Sequence, residues 1–337
     1  MALAASVDRS TVTAVVEAAT LAPSVHNTQP WRFVVGDKAG HTATIELYAD
    51  RERSLPALDP TGRQLLVSCG AALLHAQIGA RSLGLSLEIN LLPDADPDHL
   101  ATLTLRPGQP PSDEDQELSA ATRLRHTQRE PFDTRSVDPA VLDRLRAAAA
   151  REGGWLHVVE RRDDQITLAV LLAQAEHIEQ SDPKYREELH SWVRPVNSPA
   201  RDGVPASALP HTAGPARHSE VTVRDFDLER TMQELRDSPT DERPTVVILG
   251  TDADTHKDQL LAGMALARVL LEATRAGVVA SPLGQVVDLP GTRTQLRQQL
   301  TLLGEPQMLL RIGYGAPAAA TPRRPVSDVL TDAPPSG

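Results

Sequence analysis

One cysteine, Cys69, stands in the whole 337-residue chain, so no internal disulfide can form. That usage fits a reducing compartment. Cys69 lies among Val67, Ala71 and Leu74, a setting that reads as a buried structural thiol. Aromatic residues make up only 3%, so each Trp, Tyr or Phe marks a position worth locating. Positive charge is in deficit: 34 Lys and Arg against 45 Asp and Glu give a net charge of −11. This balance argues against a nucleic-acid partner, whose phosphates demand a basic surface. No apolar run approaches the about 20 residues of a membrane-spanning helix. The start, Met1-Ala2-Leu3-Ala4-Ala5-Ser6, lacks the basic stretch and apolar run of a signal peptide. These gaps predict a cytoplasmic protein with no membrane or nucleic-acid partner. Local signatures of other chemistries are missing as well: no Walker A loop, no zinc-type His pair, no G-x-S-x-G elbow. Gly313-Tyr314-Gly315-Ala316-Pro317-Ala318 fits only a loose G-x-G-x-x-A. No helix can follow it cleanly through the Pro-rich tail, which excludes a dinucleotide fingerprint. No metal site is expected, and no side chain stands out as a general acid.

What the chain does contain is a repeat. Ser6-Val7-Asp8 opens a helical stretch that runs to Ala22, followed by a polar turn and then Trp31-Arg32-Phe33-Val34-Val35. Ser136-Val137-Asp138 opens a second helical stretch from Pro139 to Arg151, followed by Gly153-Gly154 and then Trp155-Leu156-His157-Val158-Val159. Each Asp is placed to cap its helix. A second pair of segments repeats in the same order. Gly70 to Pro93 reads as a helix, then Gly84, then an alternating strand. Gly263 to Pro290 reads as a helix, then Gly277, then an extended segment ending in Val286-Val287-Asp288-Leu289. Strand candidates Thr102–Leu105 and Met308–Ile312 follow the two. Helices alternating with strands and punctuated by Gly predict an α+β protein. Its two repeated α/β halves would cover 1–112 and 113–330, with a tail at 331–337. The join, Arg106 to Asp115, is rich in Pro, Gly and acids. A Pro-rich irregular segment, 194–221, follows two helical stretches and is a lid candidate.

Four segments carry possible chemistry. Ala22-Pro23-Ser24-Val25-His26-Asn27-Thr28-Gln29-Pro30-Trp31-Arg32-Phe33 stops a helix, crosses a polar turn and enters a strand. Its neutral side chains Ser24, Asn27 and Gln29 suit a flat, amide-rich ligand. Arg125-His126-Thr127-Gln128-Arg129 puts guanidinium and hydroxyl groups within reach of one oxyanion, and Arg grips phosphate through two parallel hydrogen bonds. Ser281-Pro282-Leu283-Gly284-Gln285 follows the second long helix, and Pro322-Arg323-Arg324-Pro325 follows Gly313-Tyr314-Gly315.

Together these segments resemble the FMN-dependent nitroreductase family, whose turn reads close to A-P-S-x-x-N-x-Q-P-W-x-F. The Arg125 segment resembles its R-H-S-x-K/R element, with Thr127 for Ser. The combination looks most like the Acg-type branch. The resemblance implies FMN as cofactor. Ser24, Asn27 and Gln29 would orient its ring and ribityl chain; Arg125, His126, Thr127, Arg129 and Arg323 would surround its phosphate. Leu283 and Gly284 would approach N5 through their main chain. Family members are dimers that build each site from two subunits, the turn coming from one and the phosphate element from the other. Here the first half has the turn and the second half has the phosphate element. The resemblance therefore implies a nitroreductase-like single-chain pseudo-dimer with one FMN, monomeric or further paired as a homodimer. It implies NAD(P)H-dependent reduction of nitroaromatic or quinone-like acceptors by ping-pong hydride transfer. The alternative is an FMN-sequestering protein whose 194–221 lid stays closed, with little or no turnover.

Overall fold

A computed structural model of the chain describes residues 7–39, 41–208, 241–316 and 318–333. The first half runs α1 (Arg9–Thr20), β1 (Trp31–Ala39), β2 (Thr42–Ala49), α2 (Arg63–Ser82), β3 (Leu85–Leu91) and β4 (His99–Pro107). After α3 (Asp113–Leu124), the second half runs α4 (Pro139–Arg151), β5 (Trp155–Val158), α5 (Arg162–Ser181), α6 (Pro183–Trp192) and the short strands β6 (Val193–Arg194) and β7 (Val204–Pro205). It continues with β8 (Thr245–Thr251), α7 (His256–Arg275), β9 (Val279–Leu283), α8 (Gln285–Asp288), α9 (Pro290–Gln299), β10 (Glu305–Gly313) and β11 (Leu330–Asp332).

Asp8 caps α1 by accepting from the Thr11 N–H, and Asp138 caps α4 by accepting from the Ala140 N–H. The repeat is written into the sheets. One sheet has the order β11-β1-β2-β4-β3 and the other β5-β8-β10-β9, so the four core strands of each half follow the same path. β2 and β8 supply the strands that the sequence reading did not single out. Burial explains why the two halves read differently. β2 alternates half-buried and buried residues, because its sheet has one covered face. β8 and β10 are buried almost throughout, because α4 and α7 cover one face of their sheet while α5, α8 and α9 cover the other.

The halves meet along α2 and α7, which pack against each other at Gly70 and Gly263. Two stretches differ from the sequence expectation. Gln285–Asp288 is a helical turn rather than an extended run: the N–H groups of Val287 and Asp288 both donate to the Gly284 carbonyl, and tertiary contacts to Asp288 outweigh the β preference of Val-Val. The chain after Gly315 crosses back to the first half, where β11 pairs in parallel with β1, Phe33 against Leu330. Of the lid candidate, 194–208 is described and 209–221 lies outside the described residues. Among the described residues, no helix is long and apolar enough to cross a membrane.

Candidate functional site

The turn after α1 is a tight polar knot. The Ser24 hydroxyl accepts from the Gln29 N–H at 2.9 Å, and the Val25 N–H donates to Ser68 Oγ of α2 at 3.2 Å. His26, Asn27 and Gln29 all have left-handed backbones, with φ of 46°, 55° and 52°. Such conformations cost non-glycine residues about 1–3 kcal/mol each and persist where surrounding contacts over-determine them. The Arg125–Arg129 segment arrives from the end of α3. Thr127 forms a parallel bridge with Ala280, and the Gln128 N–H donates to the Ala280 carbonyl at 2.8 Å. This edge pairing sets Thr127 beside Ser281.

These segments meet at one cavity between the halves. Pro23, Ser24, Val25 and His26 of the turn, together with Gln64, Val67 and Ser68 of α2, come from the first half. The second half contributes Thr127, Arg129, Leu266 and Leu270 of α7, Ser281, Pro282, Gly284, Asp288, Met308, and Val204 of the Pro-rich segment. The wall is mixed: apolar faces from Val67, Leu266, Leu270 and Met308, with a few polar groups among them, as in small-molecule sites.

Beside the cavity lies a cluster of guanidinium groups. Arg125 is buried and Arg129 and Arg323 are half-buried, and each is held below its ordinary pKa: Arg125 to about 9, Arg129 and Arg323 to about 10. Burial is the leading cause in all three, followed for Arg125 by repulsion from Arg323 and Arg129, and for Arg323 by Arg129. No carboxylate acts on any of them among the described residues. Nη2 of both Arg125 and Arg323 reaches the Leu21 carbonyl at the end of α1, each at the long distance of 3.5 Å. Nε of both finds no hydrogen-bond partner among the described residues. Buried donors left unmade are costly, and three like charges with no counter-charge among the described residues describe a receptor for an anion. A phosphate monoester fits this donor set.

The ten residues singled out from sequence fall into four groups. Ser24, Thr127, Arg129 and Gly284 line the cavity. Arg125, His126 and Arg323 adjoin it, and His126 is pushed down by burial and then by Arg125 and Arg323. Asn27 and Gln29 do not line it. The Asn27 amide donates to Gly203 O at 2.9 Å and to Pro322 O at 3.0 Å, while its Oδ1 accepts from Arg323 Nη1 at 3.1 Å. Gln29 donates to Arg201 O and accepts from the Arg324 N–H. Both amides thus fasten other segments to the turn. The Leu283 side chain is buried in the core under α5 and α9.

Sequence reasoning missed Gln64, Ser68 and Asp288, which no local motif marks. His75 is wholly buried on α2 and held neutral: burial first, then Arg125 and Arg323, bring its pKa to about 3. In the other half, Arg268 stands five residues after Gly263 as His75 stands five after Gly70. Arg268 pairs with Glu152 at the end of α4, and Gly153-Gly154 replaces the polar turn. The related position is therefore closed by an internal ion pair. Among the described residues, no group of three or more His, Cys, Asp or Glu side chains could hold a metal ion.

The profile of the family described as "Nitroreductase family" matches residues 3–64 and 122–314. Two proteins of Mycobacterium tuberculosis align along nearly the whole chain. "Uncharacterized protein Rv3127" is 36% identical, covering 92% of this chain and 89% of its own. "Putative NAD(P)H nitroreductase Rv3131" is 34% identical, covering 96% and 92%. From the same organism, "Putative NAD(P)H nitroreductase acg" is 30% identical, covering 94% and 93%.

Proposed function

The chain belongs to the nitroreductase family of oxidoreductases, and on that premise we propose that it binds one FMN and passes electrons from NAD(P)H to nitroaromatic or quinone-like acceptors. The observation that carries the reading is the trio Arg125, Arg129 and Arg323, which has no carboxylate partner among the described residues and stands at a largely apolar cavity between the halves. FMN bound here supplies reversible two-electron chemistry at its ring. The protein supplies position and field. Arg125, Arg129 and Arg323 hold the phosphate, with the Thr127 hydroxyl beside them. Leu266, Leu270, Val67 and Met308 exclude water from the ring. Asn27 orients Arg323, and His75 packs neutral behind the cluster, so that it adds no further positive charge. The closed Arg268–Glu152 position supports a single site per chain. The place of action is the cytoplasm, where NAD(P)H is supplied.

A second reading, an FMN-holding protein without turnover, is favoured by one feature. The segment 193–205 is fastened over the turn: Gly203 and Asn27 exchange two hydrogen bonds, Asp202 takes both Arg53 and Arg194, and Val204 forms part of the cavity wall. One experiment separates the readings. Purified protein should be yellow, with one FMN per chain. On stopped-flow mixing with NAD(P)H, rapid bleaching supports the reductase. Retained colour supports sequestration, and a colourless protein that takes up no FMN sinks both.

A further inference from the structure

We propose that the buried Glu242–Arg311 pair is a positioning device for the flavin phosphate: it fixes Phe132, and through Phe132 it sets the guanidinium of Arg129. The inference rests on the FMN reading above. Neither member of the pair lines the cavity. Arg311 lies near the end of β10 and is 0% exposed; Glu242, three residues before β8, is 1% exposed. The two form an ion pair in the core. Burial lowers the Arg311 pKa, and Glu242 works against that fall. Apolar residues of similar volume often hold a core as well as a buried ion pair does. What they cannot do is accept a hydrogen bond from the neighbouring main chain.

That hydrogen bond comes from the segment that carries Arg129. The Phe132 N–H donates to Glu242 Oε2 at 3.0 Å, while Oε1 accepts from Arg311 Nη2. The guanidinium carbon of Arg311 lies 5.0 Å from the centre of the Phe132 ring. The ring also abuts Gly313, where a Cβ would come within 2.9 Å of it. The next residue is held too: the Asp133 N–H donates to the Tyr314 carbonyl at 2.8 Å, and the Asp133 carbonyl accepts from the Arg243 N–H at 3.0 Å. On the other side of Arg129, the Gln128 N–H donates to the Ala280 carbonyl at 2.8 Å. Only Arg129, Glu130 and Pro131 separate the pin at β9 from the pin at β10. Pro131 stiffens this short span. A shift of about 1 Å at Arg129 is enough to undo a hydrogen bond to phosphate. Arg125 precedes the β9 pin, at the end of α3, and does not depend on the β10 pin.

The test is the ratio of FMN to riboflavin affinity, read by flavin fluorescence on flavin-free protein; the two ligands differ only in the phosphate. Wild-type protein is expected to prefer FMN by about a hundredfold or more. Glu242→Leu/Arg311→Met removes acceptor and cation together and leaves no lone buried charge. It is expected to lower the ratio about tenfold, with riboflavin affinity changed by less than about threefold. Glu242→Gln/Arg311→Met restores the acceptor and should recover most of the ratio. Adding Arg129→Met to the Leu/Met variant should lower the ratio no further, whereas adding Arg125→Met should lower it again. Should the pair variants not fold, Phe132→Leu leaves the pair in place and is expected to lower the ratio by about threefold or more. An unchanged ratio in a folded variant overturns the proposal, as does a loss shared equally by riboflavin, or a full further loss from Arg129→Met. A wild-type preference for FMN below about threefold overturns the phosphate reading of the trio, and the proposal with it.

Discussion

Gly70 and Gly263 face each other where α2 and α7 cross, and each leaves room for the other helix's backbone. A Cβ on Gly263 would lie 2.8 Å from Gly70 Cα and closer still to the Val67 carbonyl oxygen. A Cβ on Gly70 would lie 3.0 Å from Gly263 Cα and closer still to the Leu260 carbonyl oxygen. The contact is reciprocal, as it is across a dimer axis, but it lies within one chain. The obstacle in both cases is backbone, which cannot rotate away. Gly263→Ala is therefore expected to force the helices apart and to destabilise the fold by about 1–3 kcal/mol, despite alanine's better helix propensity. Urea denaturation measures this. A gain in stability would mean that the helices cross less closely.

Arg125 is held in the folded chain at a cost to the ligand-free protein. Burial, together with Arg323 and Arg129, brings its pKa to about 9, so it remains charged at neutral pH. Arg125→Met is expected to stabilise the ligand-free protein by about 1 kcal/mol or more, because a buried charge with no carboxylate partner among the described residues is replaced by an apolar chain. The same change should weaken FMN binding by about 1.5–3 kcal/mol through the lost charged hydrogen bonds. Thermal melts without flavin and FMN titrations read the two effects, which have opposite signs. Unchanged FMN affinity would remove Arg125 from the site.

The α+β architecture and its duplication were legible because they rest on local signals: the Asp caps before α1 and α4, the Trp that opens β1 and β5, and the glycines inside α2 and α7. The segments that meet at the cavity were legible for the same reason, since Ser24, Thr127 and Gly284 each sit in a compact motif. The roles of Asn27 and Gln29 were not. Their amides could face a ligand or other backbone, and only the arrival of Gly203, Pro322 and Arg324 from distant parts of the chain decides between these. Asp288 was read as the end of an extended run, because the pull of Arg63 and Gln64, more than two hundred residues away, leaves no local trace.

Stability should fall on both sides of neutrality for separate reasons. Burial alone would push His99 down, but its hydrogen bonds to Asp94 and Glu46 hold the imidazole above its ordinary value. A raised folded pKa means that this contribution is complete below about pH 6.5 and is lost as pH rises through the folded value. For Asp254 burial works upward, yet Arg293, Gln307 and Gln259 bring the carboxyl down to about 2. That contribution is complete above about pH 4 and is lost as pH falls toward 2. His99→Gln should flatten the alkaline limb of stability against pH and leave the acid limb. Asp254→Asn should do the reverse. Denaturant midpoints across pH 3 to 9 check both, and a variant that alters the opposite limb contradicts the assignment.

Asp202 is one of the points at which the Pro-rich segment is tied to the first half. It accepts from Arg53 of the first half and from Arg194 across the ribbon, and both guanidinium groups lie over the Trp192 ring, at 5.4 and 5.2 Å from its centroid. The pair is half-buried, so solvent screens it only in part. Asp202→Asn is expected to lower the free energy of local opening by about 1–2 kcal/mol, which raises the open population about five- to thirtyfold. Amide hydrogen exchange at Gly203 and Val204 reads this population when closing is fast. An unchanged exchange rate would show that the bonds of Asn27 to Gly203 and of Gln29 to Arg201 hold the segment. Asn27→Ala should then release it where Asp202→Asn does not. Because Asn27 also bonds Arg323, that variant alone should weaken FMN binding along with the fastening.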